Sequence, residues 1–334
     1  MNIAIIGYGY WGPNLLRNFS LVKNCKVHTL CDLRVERLQS TLNAYPTLQL
    51  SDNIDEVVNN KDIDAIVIAT PVFTHYTIAK KALLAGKHVL IEKPMTSSVK
   101  EAEELIDIAL KQKLVLMVDH TFLYTGAVQK MKSLIDSGTI GKLKYLDSTR
   151  INLGLFQSDV NVLWDLAPHD ISICDYLMSE KPVSVQATGI SHTNNGIENI
   201  AYLTLNYQSD IIAHFNCSWT SPVKLRQMLV GGDEKMMVYN DMEPTEKIKI
   251  YDTGYNLSSE EEKNRILVDY RIGDIFIPKL ETKEALLGMA NDFVNAIENG
   301  TKPVCDYNLG LSVVKVLEAS QISIKNGGKE VKIA

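Results

Sequence analysis

The sequence lacks any excess of positive charge. Its 34 lysine and arginine residues are outnumbered by 40 aspartate and glutamate residues, which gives a net charge of −6. Proteins that bind nucleic acid usually present a basic surface to the phosphate backbone, so this balance argues against a nucleic acid partner. Any phosphate-bearing ligand is therefore expected to bind at local features, such as the N-terminus of a helix.

Two further absences bear on the compartment. The five cysteines are scattered and form no Cys-x-x-Cys pair, so we expect reduced thiols, with neither a disulfide framework nor a metal site. No stretch reaches the roughly 18 apolar residues that a membrane-spanning helix needs, and the N-terminus has no signal-peptide pattern. These features predict a cytoplasmic protein with no membrane partner.

The length and the rhythm of the chain predict two domains. Residues 1–121 alternate short apolar runs, typical of buried parallel strands, with longer segments that have helical periodicity. The runs are 2–6, 26–31, 65–69, 88–91 and 115–118, and the helical segments are 11–22, 35–44, 74–85 and 99–111. Because strand–helix–strand units make right-handed crossovers, residues 1–121 are predicted to form a doubly wound α/β Rossmann domain.

After residue 121 the pattern changes. A helix at 127–137, an extended stretch at 143–152 and a helix at 165–178 precede five alternating strand patterns between residues 183 and 239. Helical patterns at 283–299 and 309–325 complete the chain. Residues 122–334 are therefore predicted to form an α+β domain with an open, mostly antiparallel sheet.

A glycine-rich turn directly follows the first predicted strand and opens the first predicted helix: Gly7-Tyr8-Gly9-Tyr10-Trp11-Gly12. In such a G-x-G-x-x-G turn, Gly7 permits the tight turn, Gly9 lets the backbone approach a pyrophosphate, and Gly12 lets the helix pack closely on the strand. The pattern alone is common. Its position between a strand and a helix favours a dinucleotide site over a merely structural turn.

Asp32, Leu33 and Arg34 follow the second predicted strand. A carboxylate at this position accepts hydrogen bonds from the adenosine ribose hydroxyls, which favours NAD as the cofactor. Arg34 could instead receive the 2′-phosphate of NADP, so NADP stays open.

Two other segments follow predicted strands and so lie at the same edge of the predicted sheet. Thr70 and Pro71 come after the 65–69 run, although Pro71 could simply end that strand. Glu92-Lys93-Pro94 comes after the 88–91 run, and a lysine there could stabilise negative charge that develops on a substrate oxygen. The alternative is an ordinary surface lysine before a proline.

Asp165 and His169 lie four residues apart, so they share one face if a helix begins at Asp165. Pro168 fits that start, because proline is tolerated in a first helical turn. A histidine with a pKa near neutral can remove a hydroxyl proton, and a neighbouring carboxylate can orient it. The alternative is an N-cap aspartate and a core histidine.

One other pattern is a false signal. Tyr76 and Lys80 match the Tyr-x-x-x-Lys pair of short-chain dehydrogenases, but they come too early in the chain for that fold. We interpret them as one helical turn without a catalytic role.

The ordered set of motifs resembles the glucose–fructose oxidoreductase/inositol dehydrogenase family (Gfo/Idh/MocA). The matching features, in chain order, are GYGYWG at 7–12, Asp32, ATPVFTH at 69–75, EKP at 92–94, His120 and DLAPH at 165–169. The resemblance covers essentially the whole chain, and the ordered set is much more specific than any single motif.

This resemblance implies an NAD(P)-dependent oxidoreductase. The lysine that matches Lys93 and the histidine that matches His169 serve catalysis in the family, with the aspartate that matches Asp165 beside them. Several residues are implied to border the cofactor in addition to the glycine-rich turn, and these are Thr70, Pro71, His75, Glu92 and His120.

The segments YWGPNLLRNF, HTFLY and WDLAPHD are similar to bacterial family members of the UDP-N-acetylglucosamine 3-dehydrogenase and UDP-N-acetylglucosaminuronate dehydrogenase types. This similarity implies a small-molecule substrate, namely a UDP-linked amino sugar used in glycan precursor biosynthesis. The candidate substrate contacts are Lys93, Tyr124, Arg150, Asn152, Trp164, Asp165 and His169. Arg150 could bind a phosphate or carboxylate, or form an ordinary ion pair.

Three other functions stay open: a glycosidase of the same fold, a reductase of a non-sugar substrate, and a non-catalytic NAD(P)-sensing protein. The complete set Lys93, Asp165 and His169 argues against the sensor, which has no need of it. Large apolar sheet faces rarely stay exposed to water, so we expect the exposed sheet face of the second domain to pack against another copy of the chain. The sequence therefore predicts a homodimer or homotetramer.

Overall fold

The chain folds into two compact units. The computed structural model describes residues 1–154, 156–256 and 269–333. The first unit is Met1–Thr125 with Lys283–Lys315, and the second is Gly126–Thr282 with Val316–Ala334. The predicted division after residue 121 lies a few residues earlier than this one. The predicted first domain, residues 1–121, also lacks Lys283–Lys315, which belong to the first unit.

A six-stranded parallel sheet forms the centre of the first unit, with strand order β3-β2-β1-β4-β5-β6. The strands are β1 (Asn2–Ile6), β2 (Lys26–Cys31), β3 (Gln49–Ser51), β4 (Ala65–Ile68), β5 (His88–Glu92) and β6 (Leu116–Asp119). The order reverses between β1 and β4, and ligands of such sheets bind at this point, beyond the carboxyl ends of the strands. The predicted doubly wound α/β fold is confirmed.

Four helices connect these strands: α1 (Gly12–Phe19), α2 (Ile54–Asn59), α3 (Val72–Leu84) and α4 (Val99–Gln112). The expected helix at 35–44 is wrong, because two short 3-10 helices, Val35–Arg37 and Gln39–Asn43, occupy this segment. The Thr41 hydroxyl donates to the Leu38 carbonyl oxygen at 2.6 Å, a local bond that competes with an α-helical ladder. The strand β3 and the helix α2 were not predicted, since each is too short to show a period.

Contacts of the helix α7 (Ala285–Asn299) explain why the C-terminal segment belongs to the first unit. Its Phe293 ring packs edge-on against Phe19 of α1, with 6.3 Å between the ring centroids. Its Asp292 accepts a hydrogen bond from the Tyr124 hydroxyl at 2.6 Å. Helical periodicity predicts that α7 exists, but it does not say which sheet the helix covers.

The second unit contains a nine-stranded sheet with strand order β16-β13-β12-β11-β7-β10-β9-β8-β17. Every neighbouring pair is antiparallel except β10 and β7. The strands are β7 (Leu143–Leu153), β8 (Ser184–Ile190), β9 (Ile200–Asn206), β10 (Ile212–Ser218), β11 (Thr220–Gly232), β12 (Met236–Asn240), β13 (Ile248–Tyr251), β16 (Ile275–Phe276) and β17 (Val331–Lys332). A separate ribbon joins β14 (Gly254–Asn256) to β15 (Asp269–Arg271). The predicted open, mostly antiparallel sheet is confirmed.

Helices of the second unit include α5 (Gly126–Asp136) and α6 (Val162–Leu177), and the last helix of the chain is α8 (Tyr307–Lys325). Helix α6 packs on β10, where Ala213, Phe215 and Cys217 are buried at alternate positions. None of the helices in the described part of the chain is both long and apolar enough to cross a membrane.

The start of α6 differs from the expected one. The helix begins at Val162 rather than at Asp165, because the Asn161 side chain caps it by accepting a hydrogen bond from the Trp164 N–H at 3.1 Å. Asp165 therefore lies in the first turn, whereas Pro168 lies inside the helix. Since proline has no N–H, it cannot donate to the carbonyl one turn earlier, which belongs to Trp164.

A buried ion pair joins β7 to α6. The Arg150 guanidinium donates to both carboxylate oxygens of Asp170, at 2.9 and 2.6 Å, and the two residues are 3% and 4% exposed. Two parallel bonds of this kind are strong and fix the orientation of both groups. Removing one partner would leave the other charge buried and uncompensated.

Replacing Asp170 by asparagine is therefore expected to lower the free energy of unfolding by about 3 kcal/mol or more. The double variant Arg150→Met/Asp170→Leu should regain much of this loss, because it buries no charge. Urea denaturation followed by circular dichroism measures both. A single variant as stable as the wild type would contradict a structural role for the pair.

Candidate active site

The turn between β1 and α1 is shaped by its glycines. Gly7 has a positive φ of 102°, and a Cβ atom there would lie 2.6 Å from the Ala69 carbonyl oxygen. A Cβ on Gly12 would lie 2.6 Å from the Gly7 carbonyl oxygen. Gly9 differs, because a Cβ there would meet no atom of the described residues within 4 Å. The turn thus leaves open space at Gly9, where a pyrophosphate approaches the backbone in dinucleotide-binding folds.

A cavity of about 520 Å³ opens beside this turn. Seven residues predicted to bind the cofactor line it, and these are Gly7, Gly9, Asp32, Leu33, Arg34, Thr70 and Pro71. Among the lining residues that were not predicted are Ile54, Phe73, Thr74 and Ile78. Three of these side chains are apolar and suit a flat base. Two of them, Phe73 and Ile78, belong to α3. Helical periodicity in the sequence does not distinguish residues that line a ligand cavity from other residues of the helix, so these two could not be predicted.

The Asp32 carboxylate is tied to the turn and to its own loop. It accepts hydrogen bonds from the Tyr8 N–H at 2.8 Å and from the Arg34 N–H at 2.9 Å. Burial opposes ionisation, yet these bonds and the nearby Arg34 guanidinium lower the pKa of Asp32 below its usual value. The group is therefore an anion placed to accept hydrogen bonds from ribose hydroxyls.

Tyr10 and Trp11, both predicted cofactor contacts, do not line this cavity. The Tyr10 side chain is 84% exposed, and its ring meets that of Trp11 edge-on at 5.5 Å. Trp11 precedes α1 directly, at the helix N-terminus whose free N–H groups suit a phosphate.

His75 links two of the strand ends instead of facing the cavity. Its Nδ1 lies 2.9 Å from the Pro94 carbonyl oxygen, and its Nε2 lies 2.8 Å from the Thr70 carbonyl oxygen. Burial, and secondarily the charge of Lys93, lower the pKa of His75, so the ring is neutral. The neutral ring has a single N–H, so it donates to one of these two carbonyl oxygens and packs between the segment after β4 and the segment that carries Lys93.

The ends of β5 and β6 bring together four ionisable side chains. Glu92 and Asp119 are direct partners in the parallel pairing, and Lys93 and His120 follow them in the chain. Both ring nitrogens of His120 are buried and have no hydrogen-bond partner among the residues that the structure describes. Burial together with the Lys93 charge lowers the pKa of His120 to about 3. A buried neutral imidazole with two open positions fits a contact to a bound ligand.

In the second unit, α6 carries three of the predicted residues. Trp164, Asp165 and His169 are partly accessible, whereas Ala167 and Ile171 are buried. Asp165 and His169 lie one turn apart on this helix, as predicted.

Trp219, which was not predicted to belong to the site, binds Asp165. Its indole N–H donates to the Asp165 carboxylate at 2.9 Å, and its side chain is fully buried beside Gly154. Since Trp219 lies 54 residues further along the chain, no local spacing could have indicated this bond.

Of three other candidate substrate contacts, two are engaged in bonds within the protein and one is partly accessible. Arg150 is buried and bonded to Asp170, which favours the ion-pair alternative over a substrate contact. The Tyr124 hydroxyl donates to Asp292 and is engaged in holding α7. Asn152 is partly accessible on β7 and stays a candidate.

The pair Tyr76 and Lys80 also has a structural explanation. The Tyr76 hydroxyl and the Lys80 ammonium both bind the Glu104 carboxylate, each at 2.6 Å. They join α3 to α4 on the surface of the first unit.

Comparison with known proteins places this site in a family. Residues 1–120 match the model of the oxidoreductase family with an NAD-binding Rossmann fold. Residues 128–238 match the model of the GFO/IDH/MocA C-terminal domain. The chain belongs to the Gfo/Idh/MocA family. It is thus an oxidoreductase with an NAD-binding Rossmann domain, and the glycine turn, Asp32 and the cavity fit that cofactor.

Individual relatives match over nearly the full length. The UDP-N-acetylglucosamine 3-dehydrogenase of Acidithiobacillus ferrooxidans is 26% identical, over 97% of each chain. The crystal structure of that enzyme superposes on this chain with a TM-score of 0.80, and the superposition covers 98% of this chain and 99% of the other. The aldose-aldose oxidoreductase of Caulobacter crescentus is 20% identical, with a TM-score of 0.84 and a coverage of 99% of each chain. An oxidoreductase of Agrobacterium radiobacter, solved with NAD+, is 15% identical, with a TM-score of 0.82 and a coverage of 100% and 98%.

The open space at Gly9 generates a prediction. Gly9→Ala should leave the melting temperature unchanged but raise the Kd for NAD about tenfold or more, because the methyl group would occupy the approach to the pyrophosphate. Gly7→Ala is the contrast, since its Cβ would clash with backbone in the protein without ligand and should lower the melting temperature. Thermal unfolding and calorimetric titration separate the two effects. An unchanged Kd for Gly9→Ala would argue against this placement of the pyrophosphate.

Proposed function

We propose that the protein transfers a hydride between NAD and a ring carbon of a sugar, and that the sugar is a UDP-linked amino sugar. The observation that carries the proposal is the complete set of Lys93, Asp165 and His169 in a chain with an intact NAD cradle. Two positions support the proposal: Lys93 directly follows β5, and Asp165 and His169 lie one turn apart on α6.

Each side chain has one role in the proposed reaction. His169 accepts the proton of the sugar hydroxyl while the hydride leaves the carbon that bears it, and a carbonyl forms. Lys93 donates a hydrogen bond to that oxygen and stabilises the negative charge that develops on it. Asp165 orients His169 and is itself held by the Trp219 indole. NAD, when bound, supplies the acceptor for the hydride, and in reverse the same groups reduce a keto-sugar.

The choice of a nucleotide-linked amino sugar rests on sequence similarity over the whole chain. The relative named for UDP-N-acetylglucosamine oxidation matches 97% of the chain from end to end. The Thermotoga maritima relative named as a myo-inositol 2-dehydrogenase is 22% identical over 72% of the chain. The compounds in these two names both carry hydroxyl groups on a six-membered ring. The acidic Asp32 favours NAD over NADP in this proposal.

The test is a single-turnover experiment with a panel of nucleotide sugars, followed by nicotinamide absorbance. One UDP-linked sugar should reduce bound NAD in the wild type, and Lys93→Met should slow this step about a thousandfold, because the developing charge loses its donor. Lys80→Met is the matched control, since Lys80 lies on the surface and binds Glu104. Equal loss in both variants, or a fully active Lys93→Met, would contradict the proposed role.

We further propose that the protein is a homodimer or homotetramer, formed through the open face of the nine-stranded sheet. Tyr202 and Ile212 are 44% and 49% exposed on this face, and Tyr202 stacks on His214. Burying such a face against a second copy removes apolar area from water. Sedimentation should show dimers or tetramers, which Ile212→Asp dissociates. A monomeric wild type would refute the proposal.

A further inference from the structure

Two buried carboxyl groups lie side by side at the cofactor edge of the parallel sheet. Glu92 ends β5 and Asp119 ends β6, and the two residues are direct partners in the strand pairing. Partners in adjacent parallel strands point to the same face, with about 4.8 Å between the strands. The two residues are 8% and 3% exposed, so water does not separate their charges.

If both groups were ionised, each would have an oxygen without a partner. Glu92 Oε1 and Asp119 Oδ2 are both buried, and neither accepts a hydrogen bond from a donor in the described part of the chain. The carboxyls are within hydrogen-bonding reach of each other, while Asp119 Oδ1 accepts from the Thr121 hydroxyl. A proton between the two carboxyls gives both orphaned groups a partner, and it also removes the repulsion of two buried anions.

The surrounding groups fix the charge of this cluster. Lys93 follows Glu92 directly and interacts electrostatically with both carboxyls. His75, His120 and the Cys305 thiol also lie in this region, and burial keeps all three neutral. Beyond Cys305, the Asp292 carboxylate accepts a hydrogen bond from the Tyr124 hydroxyl. One ammonium therefore faces two carboxyls, and only a singly protonated pair balances its charge.

We propose that Glu92 and Asp119 share one proton as a carboxylic acid–carboxylate pair, and that this pair holds the Lys93 ammonium charged and in place. Glu92 is the acid that donates, and Asp119 is the carboxylate that accepts. Burial, reinforced by the Asp119 charge, raises the pKa of Glu92 well above its usual value. Burial also raises the pKa of Asp119, but only to about 6, because the Thr121 bonds and Lys93 favour its anion. Both are positioning residues, and their effect on catalysis rests on the role proposed above for Lys93.

Infrared spectroscopy tests the pair without substrate or NAD. At about pH 8 ordinary carboxyl groups are ionised. A carbonyl stretching band of a protonated carboxylic acid at this pH therefore comes from a buried carboxyl group with a raised pKa. The wild type should show such a band, and Glu92→Gln should lack it. A second band should appear as the pH falls through about 6, and Asp119→Asn should lack that one. A wild type without the first band, or a band that survives in Glu92→Gln, would overturn the shared proton.

Competitive labelling with acetic anhydride tests the hold on Lys93, with Lys80 as the internal reference. The amide of Glu92→Gln can still donate to Asp119, so the apparent pKa of Lys93 should match that of the wild type. The double variant Glu92→Gln/Asp119→Asn has the same shape but no anion, so the pKa of Lys93 should fall. The fraction of Lys93 in the neutral amine form, and with it the labelling rate at a given pH, should then increase at least about tenfold. Equal labelling of Lys93 in the two variants would overturn the second half of the proposal. Since neither measurement needs turnover, failure of the pair is distinguishable from failure of the proposed function.

Discussion

Parallel pairing of six strands is the constraint on which the chemistry of the first unit depends. Neighbouring parallel strands run in one direction, so all of their carboxyl ends meet at one edge of the sheet. The glycine turn follows β1, Asp32 follows β2, Thr70 comes just after β4, and Lys93 follows β5. Residues that are widely separated in the chain thereby converge at one edge of the sheet. The buried β-branched strands specify that pairing, and the site follows from it.

A second constraint is the cost of burying charge. Near the ends of β5 and β6, two buried carboxyls and two buried imidazoles, those of His120 and of His75 on α3, surround the partly accessible Lys93 ammonium. Such a cluster is stable only when its net charge is small, so the imidazoles stay neutral and the carboxyls cannot both ionise. The same rule explains Arg150 on β7 and Asp170 on α6, which neutralise one another. Buried charge is thus paired both where we propose chemistry and where the role is structural.

Much of this was predictable from the sequence, for physical reasons that also mark the limits. The bounds of β1 and β2 follow from short apolar runs, and the cradle follows from its glycines, since Gly7 has a positive φ and Gly12 leaves no room for a side chain. The partners made by tertiary contact were not predictable. The Trp219 bond to Asp165 and the pairing of Arg150 with Asp170 each join segments that no local period relates. Asp119 is an intermediate case, because it directly follows a predicted strand, yet only the register shows that it lies beside Glu92.

The central claim is that a hydride passes directly between a nucleotide-linked sugar and NAD in this protein. The most direct test uses UDP-sugars that carry deuterium at every ring carbon of the sugar, mixed with the enzyme and NAD in a single turnover. The mass of the recovered nicotinamide cofactor then reports where its hydrogen came from. The account predicts reduced cofactor that has gained one deuterium atom. Reduced cofactor without deuterium, or no reduction by any sugar of the panel, would contradict it.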